Sequence, residues 1–132
     1  MERIPESLGQ LSSLEVLHLK GNNLERIPES IRHLSKLKSL DISYCEWLHT
    51  LPELPRNLYH LEAHHCTLLE ALSGFSLVSF SSFVDLSNCY KLDPKKLGEI
   101  VKDSLQKDHE RRRKQVHVSL IDHSYSIFLF FN

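Results

Sequence analysis

Apolar residues recur along the first two thirds of the chain at a spacing that fits neither a continuous helix nor a long strand. Leu11, Leu14, Leu17, Leu19, Leu24 and Ile27 form one such series, with Asn22 standing in its widest gap. The flanking segment Glu2-Arg3-Ile4-Pro5-Glu6-Ser7 returns as Glu25-Arg26-Ile27-Pro28-Glu29-Ser30, 23 residues later. Leu34, Leu37, Leu40, Ile42, Cys45, Leu48 and Leu51 make the next unit, and Leu58, Leu61, Ala63, Cys66, Leu69 and Leu72 the one after. A weaker unit follows in Phe80, Val84, Leu86, Cys89 and Leu92. Aligned on Leu17, Leu40, Leu61 and Val84, the units step by 23, 21 and 23 residues. A short unit cannot bury its apolar edge alone, so a repeat of this length predicts a solenoid of stacked coils.

Within each unit the x-Leu-x-Leu-x core alternates, which predicts a short strand with Leu17 and Leu19 inward and Val16, His18 and Lys20 outward. The same register puts Ser39, Asp41 and Ser43, then His60, Glu62 and His64, then Phe83, Asp85 and Ser87 on the outward face. Stacked strands make a short parallel sheet whose concave side carries these residues. Their mixture of charge with scattered aromatics suits protein recognition. Tyr44 and Trp47 flank the second strand; Trp47 reads either as a binding anchor, given the weight of Trp and Tyr in interfaces, or as packing on the coil edge. Pro5, Pro28, Pro52 and Pro55 fall on the return side, where a missing N–H breaks no ladder. That side is expected to be extended or one short helical turn, as over Glu29–His33. Asn22 is expected to turn inward and bond the backbone of neighbouring coils, because buried amide groups need partners. Cys45, Cys66 and Cys89 share the Asn22 slot. They read either as a metal or redox site or as a column of small buried residues; the shared register already explains their spacing, and no CxxC pair points to zinc.

The ends read differently. Met1 aligns with Leu24, so the chain starts inside a unit; this suggests the C-terminal piece of a longer array, or a truncated gene product. Residues 1–92 are assigned to the repeats. Residues 93–113 are assigned to a capping helix: Asp93 is a good N-cap, Pro94 suits the first helical position, and Leu97, Ile100, Val101 and Leu105 follow at helical spacing. Arg111, Arg112, Arg113 and Lys114 read either as a localisation or nucleic-acid patch or as the solvated end of that helix, where cations suit the dipole. Residues 114–132 are an uncertain tail. The alternation of Val116, Val118 and Leu120 and the apolar stretch Ile127–Phe131 read as a strand or hairpin, or as a truncated or misread coding end.

Composition narrows the function. The net charge of -1 provides no global attraction to nucleic acid or to an acidic membrane. The residues from Met1 to Gln10 lack the apolar core of a signal peptide, and the stretch Ile127–Phe131 is far short of the roughly 20 residues that span a bilayer. Three cysteines in no secreted framework suggest reduced thiols and a cytoplasmic setting, with the nucleus as the alternative. His60, His64, His65 and Cys66 cluster in the third unit with Glu62 nearby and invite a metal hypothesis, since His60, Glu62 and His64 alternate on one face; it is set against a plain polar recognition surface. There is no G-x-S-x-G nucleophile motif and no phosphate-binding loop. No catalytic residue and no cofactor are expected; the partner is expected to be a protein, not nucleic acid.

The first unit resembles leucine-rich repeats. Leu34 to Cys45, followed by Leu51-Pro52-Glu53-Leu54-Pro55-Arg56-Asn57-Leu58, resembles the C-terminal repeats of plant TIR–nucleotide-binding–leucine-rich-repeat immune receptors. Leu61 to Leu69 and Asp85 to Asp93 are similar to the last repeats of those receptors, and the resemblance covers about residues 1–107. It implies an α/β fold: a leucine-rich repeat solenoid with a short parallel concave sheet, an irregular or extended convex side and a C-terminal amphipathic helix. It further implies a role in recognising a pathogen effector and in restraining the receptor at rest, by contact with its other domains. The NAD-cleaving and nucleotide-binding domains of such receptors lie N-terminal, so their chemistry transfers to no residue here. Two other resemblances stand beside it: Leu51 to Pro55 resembles the repeats of bacterial effector ubiquitin ligases, and the first unit resembles repeats of scaffolds that bind small GTPases.

Overall fold

The computed structural model describes residues 3–72, 83–93, 95, 114–121 and 124–131. In chain order the strands are β1 (Val16–His18), β2 (Ser39–Asp41), β3 (Thr50–Leu51), β4 (His60–Glu62), β5 (Ala71–Leu72), β6 (Phe83–Asp85), β7 (Lys114–Ile121) and β8 (Ser124–Phe131). Each coil contributes one strand to a parallel sheet of order β1-β2-β4-β6. The register sets Leu17 beside Leu40, Leu40 beside Leu61 and Leu61 beside Val84, the alignment that the repeat spacing predicts.

The ladder continues past the strand ends. The N–H groups of Leu19, Ile42 and Ala63 donate to the carbonyls of Asp41, Glu62 and Asp85 at 2.8, 2.8 and 2.9 Å. Two residues on, Gly21, Tyr44 and His65 donate to Ser43, His64 and Ser87 at 2.9, 2.9 and 2.8 Å. Each coil therefore meets the hydrogen-bonding needs of its neighbour, which lets short strands hold a buried interior. That interior is one apolar column: Leu37, Leu40, Ile42, Leu48, Leu51, Leu58, Leu61 and Leu69 are all buried, and Leu14, Leu17 and Leu19 of the first coil pack against it only partly buried. Burying a leucine fully contributes roughly 1.5–3 kcal/mol, so the inner coils hold most of the stability.

The outer side begins as expected. Pro5 (φ -69°, ψ 151°) and Pro28 (φ -63°, ψ 143°) are extended and lead into 3-10 turns at Glu6–Gln10 and Glu29–His33. The Ser30 hydroxyl donates to the Glu6 carbonyl at 2.8 Å. Gly9 lets the turns approach this closely, because a Cβ there would stand 2.8 Å from the Ser30 Cβ. Further along, β3 and β5 pair in parallel, Thr50 with Ala71 and Leu51 with Leu72. This second sheet goes beyond the irregular convex side expected. Backbone that is extended for the sake of Pro52 is already in strand conformation, and β3 stops at the residue before that proline.

At the end of the array the Asp93 carboxylate accepts the Lys95 N–H at 2.9 Å, the bond of a helix N-cap. Apart from Lys95, the expected helix lies outside the described residues, as do Phe80 and the Arg111–Arg113 cluster. Strands β7 and β8 form an antiparallel hairpin in which Val118 faces Ile127, and β8 runs near β6. No helix among the described residues is long and apolar enough to cross a membrane.

Candidate functional site

Two rows of residues cross the sheet in register. One is Val16, Ser39, His60 and Phe83; the other is His18, Asp41, Glu62 and Asp85. Alternation separates both rows from the inward line of Leu17, Leu40, Leu61 and Val84 between them, of which the last three are buried. Val16 and His18 are exposed, while Ser39, Asp41, His60, Glu62 and Asp85 are half-buried. His60 Nε2 and Glu62 Oε1 are 3.0 Å apart. The Asp41 and Asp85 carboxylates accept the N–H groups of Ser43 and Ser87, each at 2.9 Å, and the Ser87 hydroxyl also donates to Asp85. Each aspartate thus fixes the chain as it leaves the strand, an Asx-type turn.

The next outward slot is where strand reasoning fails. Lys20 is exposed and His64 and Ser87 are half-buried, but Ser43, expected on the open face, is fully buried. By this slot the strand has ended and the chain is turning, so alternation no longer decides which way a side chain points.

One residue later, every coil takes a left-handed turn: Gly21 at φ 75°, and Tyr44, His65 and Asn88 at φ 61°. Glycine adopts this conformation freely and asparagine readily, whereas Tyr and His incur roughly 1–2 kcal/mol each. The Tyr44 and His65 rings stack with centroids 4.5 Å apart at 9°, which offsets about 0.5–1.5 kcal/mol of that. The Lys20 ammonium lies over the Tyr44 ring, 5.6 Å from its centroid. Sequence reasoning selected Tyr44, His64 and Lys20, singled out His65 only as a candidate metal ligand, and missed Asn88 and Tyr90. The signal was present in Gly21, whose register partners are Tyr44, His65 and Asn88.

A directed hydrogen-bond chain runs along this ridge. The Tyr90 hydroxyl donates to Asn88 Oδ1 at 3.2 Å, and Asn88 Nδ2 donates to His65 Nε2 at 2.9 Å. His65 therefore carries its proton on Nδ1, which donates to His64 Nδ1 at 2.9 Å. His64 in turn holds its proton on Nε2.

The cysteine column is resolved by its bonding. The thiols of Cys45, Cys66 and Cys89 donate to the carbonyls of Leu19, Ile42 and Ala63 in the preceding coil, at 3.2, 3.1 and 3.0 Å. All three are free and buried. Burial, then the neighbouring Cys66 thiol, pushes Cys45 up to about 11. The hydrogen bond with Cys89, then burial, pushes Cys66 upward as well. Metal and redox chemistry need the thiolate, and here the protonated form is favoured. The described residues contain no group of three or more His, Cys, Asp or Glu side chains placed to hold a metal ion; of the residues in the metal hypothesis, His60 is paired with Glu62, His64 with His65, and the Cys66 thiol with the Ile42 carbonyl. Asn22, in the same slot, bonds the Leu19 carbonyl of its own coil at 2.9 Å, not that of a neighbour. No strand stands on the outer side of β1 among the described residues, so the amide takes the acceptor within reach.

Exposed aromatics cluster around the turns and edges. Trp47 is 51% exposed and Tyr90 53%. At the strands' N-terminal edge Tyr59 lies beside Lys38, whose ammonium is held above its usual range by its hydrogen bond and ion pair with Glu15 at 3.0 Å.

Comparison with known proteins agrees with this architecture. The leucine-rich repeat family matches over residues 4–46, and a second model of the same description over residues 36–58. The chain is 41% identical over 99 residues to Disease resistance-like protein DSC1 of Arabidopsis thaliana, covering 69% of this chain and 8% of that protein. It is 48% identical over 63 residues to TMV resistance protein N of Nicotiana glutinosa, covering 46% and 6%. It is 36% identical over 123 residues to Disease resistance protein RPP2B of Arabidopsis thaliana, covering 89% and 10%. The chain thus spans a tenth or less of the length of these relatives. No solved structure matches. Leucine-rich repeats are protein-interaction modules. Residues 4–58 thus match leucine-rich repeats, and the relatives that share this stretch of repeats are plant disease resistance proteins.

Proposed function

We propose that this chain is a protein-recognition segment of a plant intracellular immune receptor, contributing to recognition of a pathogen effector and to restraint of the receptor at rest. The observation that carries the reading is the pair of rows, one mixed and one charged, held in register across β1, β2, β4 and β6. A fixed, preorganised array of side chains binds a protein surface without an ordering cost at the moment of contact. Tyr44 and Trp47, exposed on the flank, are the proposed anchors.

The test is a receptor carrying these repeats, expressed in leaf tissue with Asp41→Lys and Glu62→Lys together. The expected result is loss of the effector-triggered cell-death response, or a response without effector, at unchanged protein level. Glu29→Lys, an equal charge change on the outer turn, should leave both behaviours intact. Normal recognition and normal restraint in the double variant would overturn the reading.

A further inference from the structure

The ridge of left-handed turns has a composition that folding does not require. Gly21 and Asn88 show that small residues hold this slot, and glycine at all four coils would turn the chain without strain. The two inner coils instead carry Tyr44 and His65, whose stack only offsets their conformational cost. Strain held at adjacent coils points toward function at that place.

The bonding along the ridge determines what it can bind. Asn88 Oδ1, His65 Nε2 and His64 Nδ1 all accept within the chain of bonds that begins at Tyr90. What remains are three groups able to donate, the His64 Nε2–H, the Tyr44 hydroxyl and the Lys20 ammonium, none with a hydrogen-bond or carboxylate partner among the described residues. The Lys20 ammonium lies 5.6 Å from the Tyr44 ring centroid, and the Tyr44 and His64 ring centroids are 5.2 Å apart. A row of donors with a cation at one end is complementary to carboxylates. The acidic row of Asp41, Glu62 and Asp85 lies on the adjacent concave face and repels any anion that extends across it, a nucleic acid strand most of all, so the anion that fits is short and confined to the ridge.

We propose that this turn ridge is a second recognition surface, which meets the concave one at Tyr44, and that it takes a short acidic segment of a partner protein. Carboxylates of the segment accept from Lys20, Tyr44 and His64, and charge assistance strengthens the Lys20 contact.

The test is fluorescence anisotropy on the whole chain with a labelled probe peptide, Gly-Asp-Glu-Phe-Asp-Glu-Gly. Its amide counterpart, with Asn and Gln in place of Asp and Glu, and a short single-stranded DNA are run beside it. Saturable binding of the acidic peptide alone is expected, weakened about tenfold by Lys20→Gln and by Tyr44→Gly. Glycine suits the left-handed slot, so Tyr44→Gly should fold, and an unchanged melting temperature verifies this. Asp41→Asn on the concave row, which removes only a repelling charge, should not weaken peptide binding, and this separates the ridge from the rows proposed above. Failure of the acidic peptide to bind, equal binding of the amide peptide or the DNA, or indifference to both ridge substitutions would overturn the proposal.

Discussion

The first and second coils have the same strand, the same register and the same turn, yet they differ in what stands on their outer side. Leu40 and Ile42 are fully buried between neighbours, while the equivalent Leu17 and Leu19 remain partly exposed. Cys45 reaches back to the Leu19 carbonyl of the preceding coil, while Asn22 in the same slot bonds that same carbonyl from within its own coil. The left-handed position is glycine in the first coil and a stacked tyrosine in the second. The repeat pattern therefore sets geometry, slot by slot, and the neighbours set how much each slot contributes. Two residues with one name and one register position need not have one energetic weight.

Truncating equivalent leucines is the strongest way to break this comparison. Leu40→Ala should destabilise by about 3 kcal/mol in urea denaturation, within the range for fully buried leucines, and Leu17→Ala by clearly less. Equal losses would mean that the outer coil is as well covered as the inner one. Gly9→Ala comes next, at about 2 kcal/mol, because the added methyl meets the Ser30 Cβ and carbonyl at 2.8 and 2.9 Å. A Gly9→Ala/Ser30→Gly pair should recover part of that loss, and no recovery would place the strain elsewhere.

The comparison also marks what could be read from the sequence. The strands were legible because Leu17, Leu40, Leu61 and Val84 are constrained twice, by period and by burial. The two concave rows followed from alternation alone. Alternation stops being informative at Ser43, where the backbone leaves the strand, and an outward assignment became a buried residue. The pairing of β3 with β5 was hidden because a stretch of two residues has no period to detect. The ridge was hidden for a different reason. Tyr44 and His65 have poor intrinsic preference for φ above zero, and only tertiary stacking makes their placement tolerable, so local propensity pointed away from it.

Gly21 offers a smaller and cleaner comparison with Gly9. A Cβ at Gly21 would find nothing within 4 Å, but the backbone stands at φ 75°. Gly21→Ala should therefore cost about 1 kcal/mol through conformation alone. Gly21→Asn, which brings the residue of the fourth coil into the first, should cost less than alanine despite its size. Alanine tolerated as well as asparagine would show that the first turn relaxes out of the left-handed region.

The smallest expected effect separates the Asn22 and Cys45 slots by pH, and its sign can be worked out. A thiol ordinarily titrates near 9, and in the folded chain burial raises Cys45 to about 11. Below pH 9 both folded and unfolded thiols are protonated, so the full stability is present. Above 9 the unfolded thiol releases a proton that the folded one retains, and stability falls until the folded thiol itself ionises near 11. Cys66, also raised, acts in the same direction, whereas the amide of Asn22 has no proton to lose in this window. Lysines and tyrosines titrate there too, so the informative quantity is a difference. Cys45→Ser retains a donor for the Leu19 carbonyl and does not ionise. Urea midpoints measured from about pH 8 to about pH 10.5 should therefore decline less steeply in the serine variant than in the parent chain. Parallel declines would show that the Cys45 thiol ionises as easily folded as unfolded, and that the cysteine slot is no drier than the asparagine slot one coil before it.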